Sequence, residues 1–360
     1  MRPLNAMRSS TRTPSATSTQ DHATRSWQEI LAPYARSDTR RAVAELLNTG
    51  LPFLVLAAAL FYGAGRYGWA ALPLAVPAAA LLVRLFMIQH DCGHGSFFKS
   101  RRSNDLLGRT LGVLTLTPYV FWRQSHAIHH ATSGNLDRRG IGDVTTLTLR
   151  EYQALSPWRR LLYRIYRHPL ILFGIGPAYL FVIRHRVPTG SPFRHPRIWA
   201  SILGTDAAIA AVLFLLVLAV GPRAFLLGYL PMILLASSMG VWLFYIQHQF
   251  ADTYWAAETD WDFRAAALQG SSFYDLPRFL HWLTGYIGFH HIHHLSSKVP
   301  SYHLRACFAQ NPELREAKRV TLLDSVRCLR LALWDEERRA LVPFRAATID
   351  LQPHAFRARG

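Results

Sequence analysis

The sequence predicts an all-α integral membrane protein. Two transmembrane helical hairpins, four spans in all, would carry a cytoplasmic helical cap with a histidine-ligated di-metal site. Three observations predict this. Half of the 360 residues are hydrophobic, and they gather into four nearly uncharged stretches in two close pairs. Forty Lys and Arg stand against 22 Asp and Glu, a net charge of +18, and almost all of that charge flanks the stretches. Three histidine clusters repeat the spacing of a single helix face.

Residues 1–46 read as a basic tail and an amphipathic segment. Met1 to Ser26 is rich in Ser, Thr and Arg, with no acidic residue before Asp21. That is the composition of a disordered segment and also of an organelle transit peptide. The apolar core of a secretory signal is missing. Trp27 to Glu45 reads as an amphipathic stretch lying on lipid headgroups.

Residues 47–89 form the first predicted hairpin and residues 201–247 the second. Leu47 to Tyr62 is uncharged, and Trp69 to Gln89 carries only Arg84. Ser201 to Val220 carries only Asp206, and Ala224 to Ile246 carries no charge. A bilayer core about 30 Å thick takes roughly 20 apolar residues as helix. Gly63-Ala-Gly-Arg-Tyr-Gly68 and Gly221-Pro-Arg223 are the connectors, with one Arg each. The N-terminal segment holds seven, including Arg40 and Arg41, and the region between hairpins runs from Arg101 and Arg102 to Arg194 and Arg197. Excess Lys and Arg marks the cytoplasmic side, so both hairpins start and end there. A bacterial inner membrane, or an organelle membrane, is the implied location. The histidine-bearing regions 90–200 and 248–360 then share one face. The positive charge serves orientation and contact with anionic lipid. It forms no nucleic-acid motif, and no nucleic-acid partner is expected.

Between the hairpins, Asp105 to Val120 and Pro169 to Ile183 are apolar but short. Pro118, Gly174, Gly176 and Pro177 interrupt or end them, which suits interfacial or re-entrant segments. Gly140 to Thr148 is turn-like. Arg305 to Arg339 alternates charged and apolar residues at helical spacing and reads as the cap. Cys92, Cys307 and Cys328 are too few for a disulfide framework, as in a reducing compartment.

The clusters read His90-Asp-Cys-Gly-His94, His126-Ala-Ile-His129-His130 and His290-His-Ile-His293-His294. Residues three and four apart share a helix face, so eight imidazoles can converge. Neutral imidazole binds iron, zinc, copper and nickel, and eight are enough for two ions. His291 would point away from the shared face, and Cys92 is a small residue between ligands. Glu-x-x-His pairs of soluble di-iron bundles are absent, as is the His-Glu-x-x-His zinc motif. Iron in an all-imidazole site can activate dioxygen, and a site at a membrane face has acyl chains beside it. A metal-binding transporter is the remote alternative. It would place ionisable residues within its spans, where only Arg84 and Asp206 occur.

The segment His90 to Phe98 resembles the first box of omega-6 (delta-12) and omega-3 acyl desaturases. Gly288-Phe-His-His-Ile-His-His-Leu295 resembles their third box, and Trp242 to Phe250 the end of their fourth span. On these motifs, from about Arg84 to Tyr302, the chain is similar to membrane-bound fatty acid desaturases. Acyl hydroxylases and carotenoid oxygenases or ketolases of the same superfamily are the alternative outcome. The resemblance implies two iron ions and dioxygen as co-substrate. It implies ligands His90, His94, His126, His129, His130, His290, His293 and His294, with His248 as a ninth. It implies delta-12-type cis desaturation of an acyl lipid or other acyl carrier. The haem motif of fused cytochrome domains is missing, because His168-Pro169 and His195-Pro196 are followed by Leu and Arg. Electrons would then come from an external donor, a ferredoxin with its reductase. Ligating imidazoles usually donate their second N–H to a carboxylate or carbonyl. Asp91, Asp143, Asp252 and Asp275 are the candidates, with His281 either an outer partner or unrelated.

Overall fold

A computed structural model of the chain describes residues 26–188 and 195–349. The tail before Ser26, with His22, and the C-terminal residues with His354 lie outside that range. The described chain is mostly helical. Its α-helices are α1 Trp27–Leu31, α2 Thr39–Tyr67, α3 Ala75–His94, α4 Arg101–Leu114, α5 Tyr119–Thr132, α6 Leu149–Ala154, α7 Pro157–Arg167 and α8 Gly176–Val182. They continue as α9 Pro196–Ala224, α10 Leu230–His248, α11 Phe263–Gln269, α12 Arg278–Leu283, α13 His290–Leu295, α14 Ser301–Gln310, α15 Leu322–Cys328 and α16 Ala346–Ile349.

Two continuous apolar stretches, Thr39–His94 and Pro196–His248, are long and apolar enough to cross a membrane. At 1.5 Å per residue either would span roughly 80 Å if straight, far beyond a bilayer core of about 30 Å. Both are broken by glycines in conformations that L side chains rarely adopt. Gly68 has φ +60° at the end of α2, and Gly221 has φ +79° and ψ 158° near the end of α9.

Contacts across the first break run in reverse order. A Cβ on Gly63 would lie 3.0 Å from the Ala71 side chain. Further from the turn, Arg84 donates to the Thr49 hydroxyl at 2.9 Å. Helices α2 and α3 are therefore antiparallel about Gly68. The second break sits beside the first, since a Cβ on Gly68 would lie 2.9 Å from the Arg223 guanidinium. Both turns thus occupy one end of the molecule, and α3 and α10 both run from it to end in histidine. The outer faces are apolar: Leu51, Leu54 and Val55 on α2 and Phe214, Leu215 and Leu218 on α9 are each more than half exposed. Patches of that extent mark contact with something other than water.

Several expectations are corrected. The chain is not wholly α. Leu147–Thr148 (β1), Leu333–Asp335 (β4) and Ala340–Val342 (β5) form one small sheet, and Phe273–Tyr274 (β2) pairs with Arg319–Val320 (β3). Trp27 to Glu45 is two elements, because the Asp38 carboxylate caps a fresh helix by accepting from the Arg40 and Arg41 N–H groups. The Arg305 to Arg339 region, read as the cap from its helical spacing, holds the end of α14 and then α15 between β3 and β4. Thr321 starts α15 through a capping box with Asp324, a local signal that overrides the longer periodicity. Apolar Pro169 to Ile183 follows α7 across a 58° bend.

Candidate metal centre

Helix α3 ends in the first cluster, α5 carries the second and α13 is the third. The one-turn spacing brings side chains together within each helix, and packing brings the helices together. Nine histidines fall into two groups. His90, His94, His126, His130 and His293 form the first, and His129, His248, His290 and His294 the second. In each group one ring nitrogen per residue lies within 4.8 Å of all the others.

Helix geometry pairs residues four apart, and packing between the helices assigns them to the two groups. In α5 the pair four apart, His126 and His130, turns to the first group, and His129 turns to the second. In α13 the assignment is swapped: His290 and His294 serve the second group and His293 the first. Both helices therefore lie between the two groups.

The Nε2 atoms of His90 and His126 are 3.0 Å apart, those of His126 and His130 3.1 Å, and those of His130 and His293 3.0 Å. In the second group His248 to His290 is 3.0 Å and His290 to His294 is 3.1 Å. Two nitrogens held about 2.1 Å from one ion lie about 3.0 Å apart at right angles and about 3.4 Å apart at the tetrahedral angle. The donors fit neighbouring positions on a shared ion. The Nε2 atoms of His94 and His129 are buried with no hydrogen-bond partner, as a lone pair reserved for a metal would be.

Burial pushes the His126, His130, His290, His293 and His294 imidazoles well below the usual value, and neighbouring imidazoles push them further. They are neutral at neutral pH, the form in which imidazole binds a metal. The folded pKa is depressed and the unfolded chain titrates near 6.5, so the folded state binds fewer protons as pH falls through that value. Stability is fully present above the unfolded value and drains below it. Below the unfolded value each histidine that stays neutral in the fold favours the unfolded chain, which can take up the proton. Thermal unfolding of metal-free protein should show this loss between pH 7 and 5.5. Bound metal should shift the loss to lower pH. A flat profile would contradict neutral burial.

Among the expected outer partners, Asp143 sits with its Oδ1 2.6 Å from His129 Nδ1. Gly142 makes that approach possible. It has φ +74°, and a Cβ there would lie 3.0 Å from the His129 Cβ. Asp91 Oδ1 is 3.4 Å from His90 Nδ1, while its Oδ2 accepts the Ser301 N–H at 2.7 Å and ties α3 to the start of α14. Asp252 and Asp275 are placed elsewhere, in ion pairs with Lys318 and Arg319. His281 accepts the Leu276 N–H at 3.2 Å and stacks on Phe273 and Phe289, behind the third cluster. His291 is buried against Phe273 and Phe308.

Some contacts were missed in the sequence. His248 Nδ1–H donates to the Gly270 carbonyl at 2.9 Å, which frees Nε2 for the group. Trp122 stacks on His126 at 4.8 Å, and Phe244 packs on both His129 and His248. Each aromatic precedes its histidine by four residues, a helix-face signal.

The fatty acid desaturase family model matches residues 67–323. The chain is 44% identical over 325 residues to a fatty acid desaturase of Bacillus subtilis, covering 90% of this chain and 92% of that one. It is 32% identical over 242 residues to a Synechocystis sn-1 acyl-lipid omega-3 desaturase (ferredoxin), covering 61% of each. A Synechocystis sn-1 oleoyl-lipid 12-desaturase is 28% identical over 240 residues, covering 66% of this chain and 67% of that one.

Proposed function

The chain belongs to the fatty acid desaturase family, oxidoreductases acting on paired donors with dioxygen, and on that premise we propose an acyl-lipid desaturase with two irons. It introduces a cis double bond of the delta-12 type. The observation that carries the reading is the gathering of nine imidazoles into groups of five and four, each made of histidine alone. Right-angle donor spacing favours an ion of higher coordination number than the tetrahedral zinc of structural sites. Iron bound there would supply the activation of dioxygen that side chains cannot.

The protein's own residues do the rest. Imidazoles from α3, α5, α10 and α13 fix the two sites. Asp143 and the Gly270 carbonyl orient His129 and His248. Trp122 and Phe244 shield the rings, and the helices must hold an acyl chain with one C–C bond at the centre, where a shift of about 1 Å matters. Electrons come from a ferredoxin-type carrier, the donor named for the Synechocystis sn-1 acyl-lipid omega-3 desaturase (ferredoxin). The positional part rests on the likeness of the His90 to Phe98 and Gly288 to Leu295 boxes to those of omega-6 (delta-12) and omega-3 acyl desaturases. Expression in a host without polyunsaturated lipids, with mass spectrometry of its fatty acids, tests the reading. A new cis bond at the delta-12 position is expected. A bond elsewhere would overturn the position, and a hydroxylated or ketonic product would overturn desaturation.

The topology we infer is four spans, with both connectors on the far side and all three clusters on the cytoplasmic face of a bacterial inner membrane. Excess Arg beside the histidines and the shared end of the two connectors support it. A thiol placed at Ser156 should label only from the cytoplasmic side. Labelling from the far side would sink the topology.

A further inference from the structure

A pocket lies against the second histidine group, with Asp143, His248 and Gly270 in its wall. It has room for about one water molecule. A polar cavity of about 260 Å³ lies nearby in the cap, lined by Asp252, Gln269, Trp334 and Arg339. The segment Thr253, Tyr254 and Trp255 lines both. That segment is fixed on two sides: the Ala256 N–H donates to the Gly134 carbonyl at 2.9 Å, and the Leu341 N–H to the Ala251 carbonyl at 2.8 Å.

Two residues in the wall of the inner pocket carry buried polar atoms without a protein partner. One is Asp143 Oδ2, an acceptor, and the other is Trp255 Nε1, a donor. The Asp143 side chain is 9% exposed and Trp255 is 6% exposed. The other Asp143 oxygen is already committed to His129. Orphaned donors and acceptors beside a water-sized pocket are the usual setting of a structural water.

We propose that these two cavities form one polar passage, separated only by the Thr253–Trp255 segment, which carries protons inward and water outward between the cap surface and the second metal group. The proposal rests on the desaturase reading. In that reaction –CH2–CH2– + O2 + 2 e⁻ + 2 H⁺ gives –CH=CH– + 2 H2O. The substrate loses two C–H bonds and supplies two electrons and two protons. An external one-electron carrier protein supplies the other two electrons, one at a time. Two further protons must therefore enter, and two waters must leave, and the four histidines of the second group are all buried. A chain of waters through the passage moves the protons. The acyl chain is then free to approach from the apolar side.

The test uses the full-length, iron-loaded protein in lipid with an excess of reduced ferredoxin. Thr253→Val removes the hydroxyl of the shared segment at nearly constant volume, and Trp255→Phe removes the indole N–H together with part of the ring. Both should lower kcat about tenfold and raise the peroxide released per double bond. KM for substrate and bound iron per chain should not change. In a second arm, Thr253→Cys should react with a small charged thiol reagent while the buried Cys92, Cys307 and Cys328 do not, and Gln269→Trp should block that reaction. Wild-type kcat and coupling in both variants would overturn the proposal, as would lost iron or an unreactive Thr253→Cys. Absence of any double bond from the unsubstituted protein would instead sink the desaturase reading, and labelling of Thr253→Cys would still decide whether the passage exists.

Discussion

Replacing His129 or His293 with Ala should abolish turnover and release metal. Each is the one residue that its helix sends across to the other group, His129 from α5 and His293 from α13. Loss of an outer partner of a metal ligand alone costs about 10–100-fold, so loss of a ligand should cost more than roughly 100-fold. His94→Ala should behave alike, since its Nε2 is buried without another partner. Metal per chain, measured with turnover, separates the site from a folding defect. Because α5 and α13 serve both groups, either substitution should lower the metal content of both. His22→Ala and His354→Ala, outside the described residues, should keep wild-type rates. Normal turnover in any of the three site variants would remove the assignment.

Arg84→Met should destabilise the fold by roughly 3–5 kcal/mol. Arg84 is 3% exposed inside the first apolar stretch, where a charge is tolerated only when fully engaged. It pairs with Glu45, donates to Thr49 and to the Trp282 carbonyl, and lies 4.3 Å over the Trp282 ring. One side chain thus joins α2, α3 and α12. Removing it leaves Glu45 without its cation. The Glu45 side chain is 23% exposed, which places the cost toward the lower end of that range. Adding Glu45→Gln to Arg84→Met should recover part of the loss. Denaturation midpoints in one detergent would measure both steps, and a double variant no better than the single one would refute the stranded-charge account.

Much of this was legible because its determinants are local. Nearly uncharged stretches and a glycine-bounded connector announced the antiparallel pair α2 and α3 about Gly68. The three- and four-residue spacings announced which imidazoles share a face. The partition was not legible. That His129 parts from His126 and His130 depends on where α10 and α13 stand relative to α5, a matter of packing between segments more than 100 residues apart. The outer partners were half legible. Asp143 reaches His129 because the Gly142 backbone turns it there, whereas Asp252 and Asp275 are held by Lys318 and Arg319, cations distant in sequence. The strands escaped notice because runs of two and three residues leave no period to detect.

The interleaving of α5 and α13 has a consequence for biogenesis. The first group needs nitrogens from α3, α5 and α13, and the second from α5, α10 and α13. No fragment that ends before His290 can complete either set. Neither group could therefore offer an ion its full set of donors until the third cluster has left the ribosome. Because both ions pull on the same two helices, the first to arrive organises the donors for the second. Loading should behave as a single cooperative maturation step, and half-filled molecules should be rare.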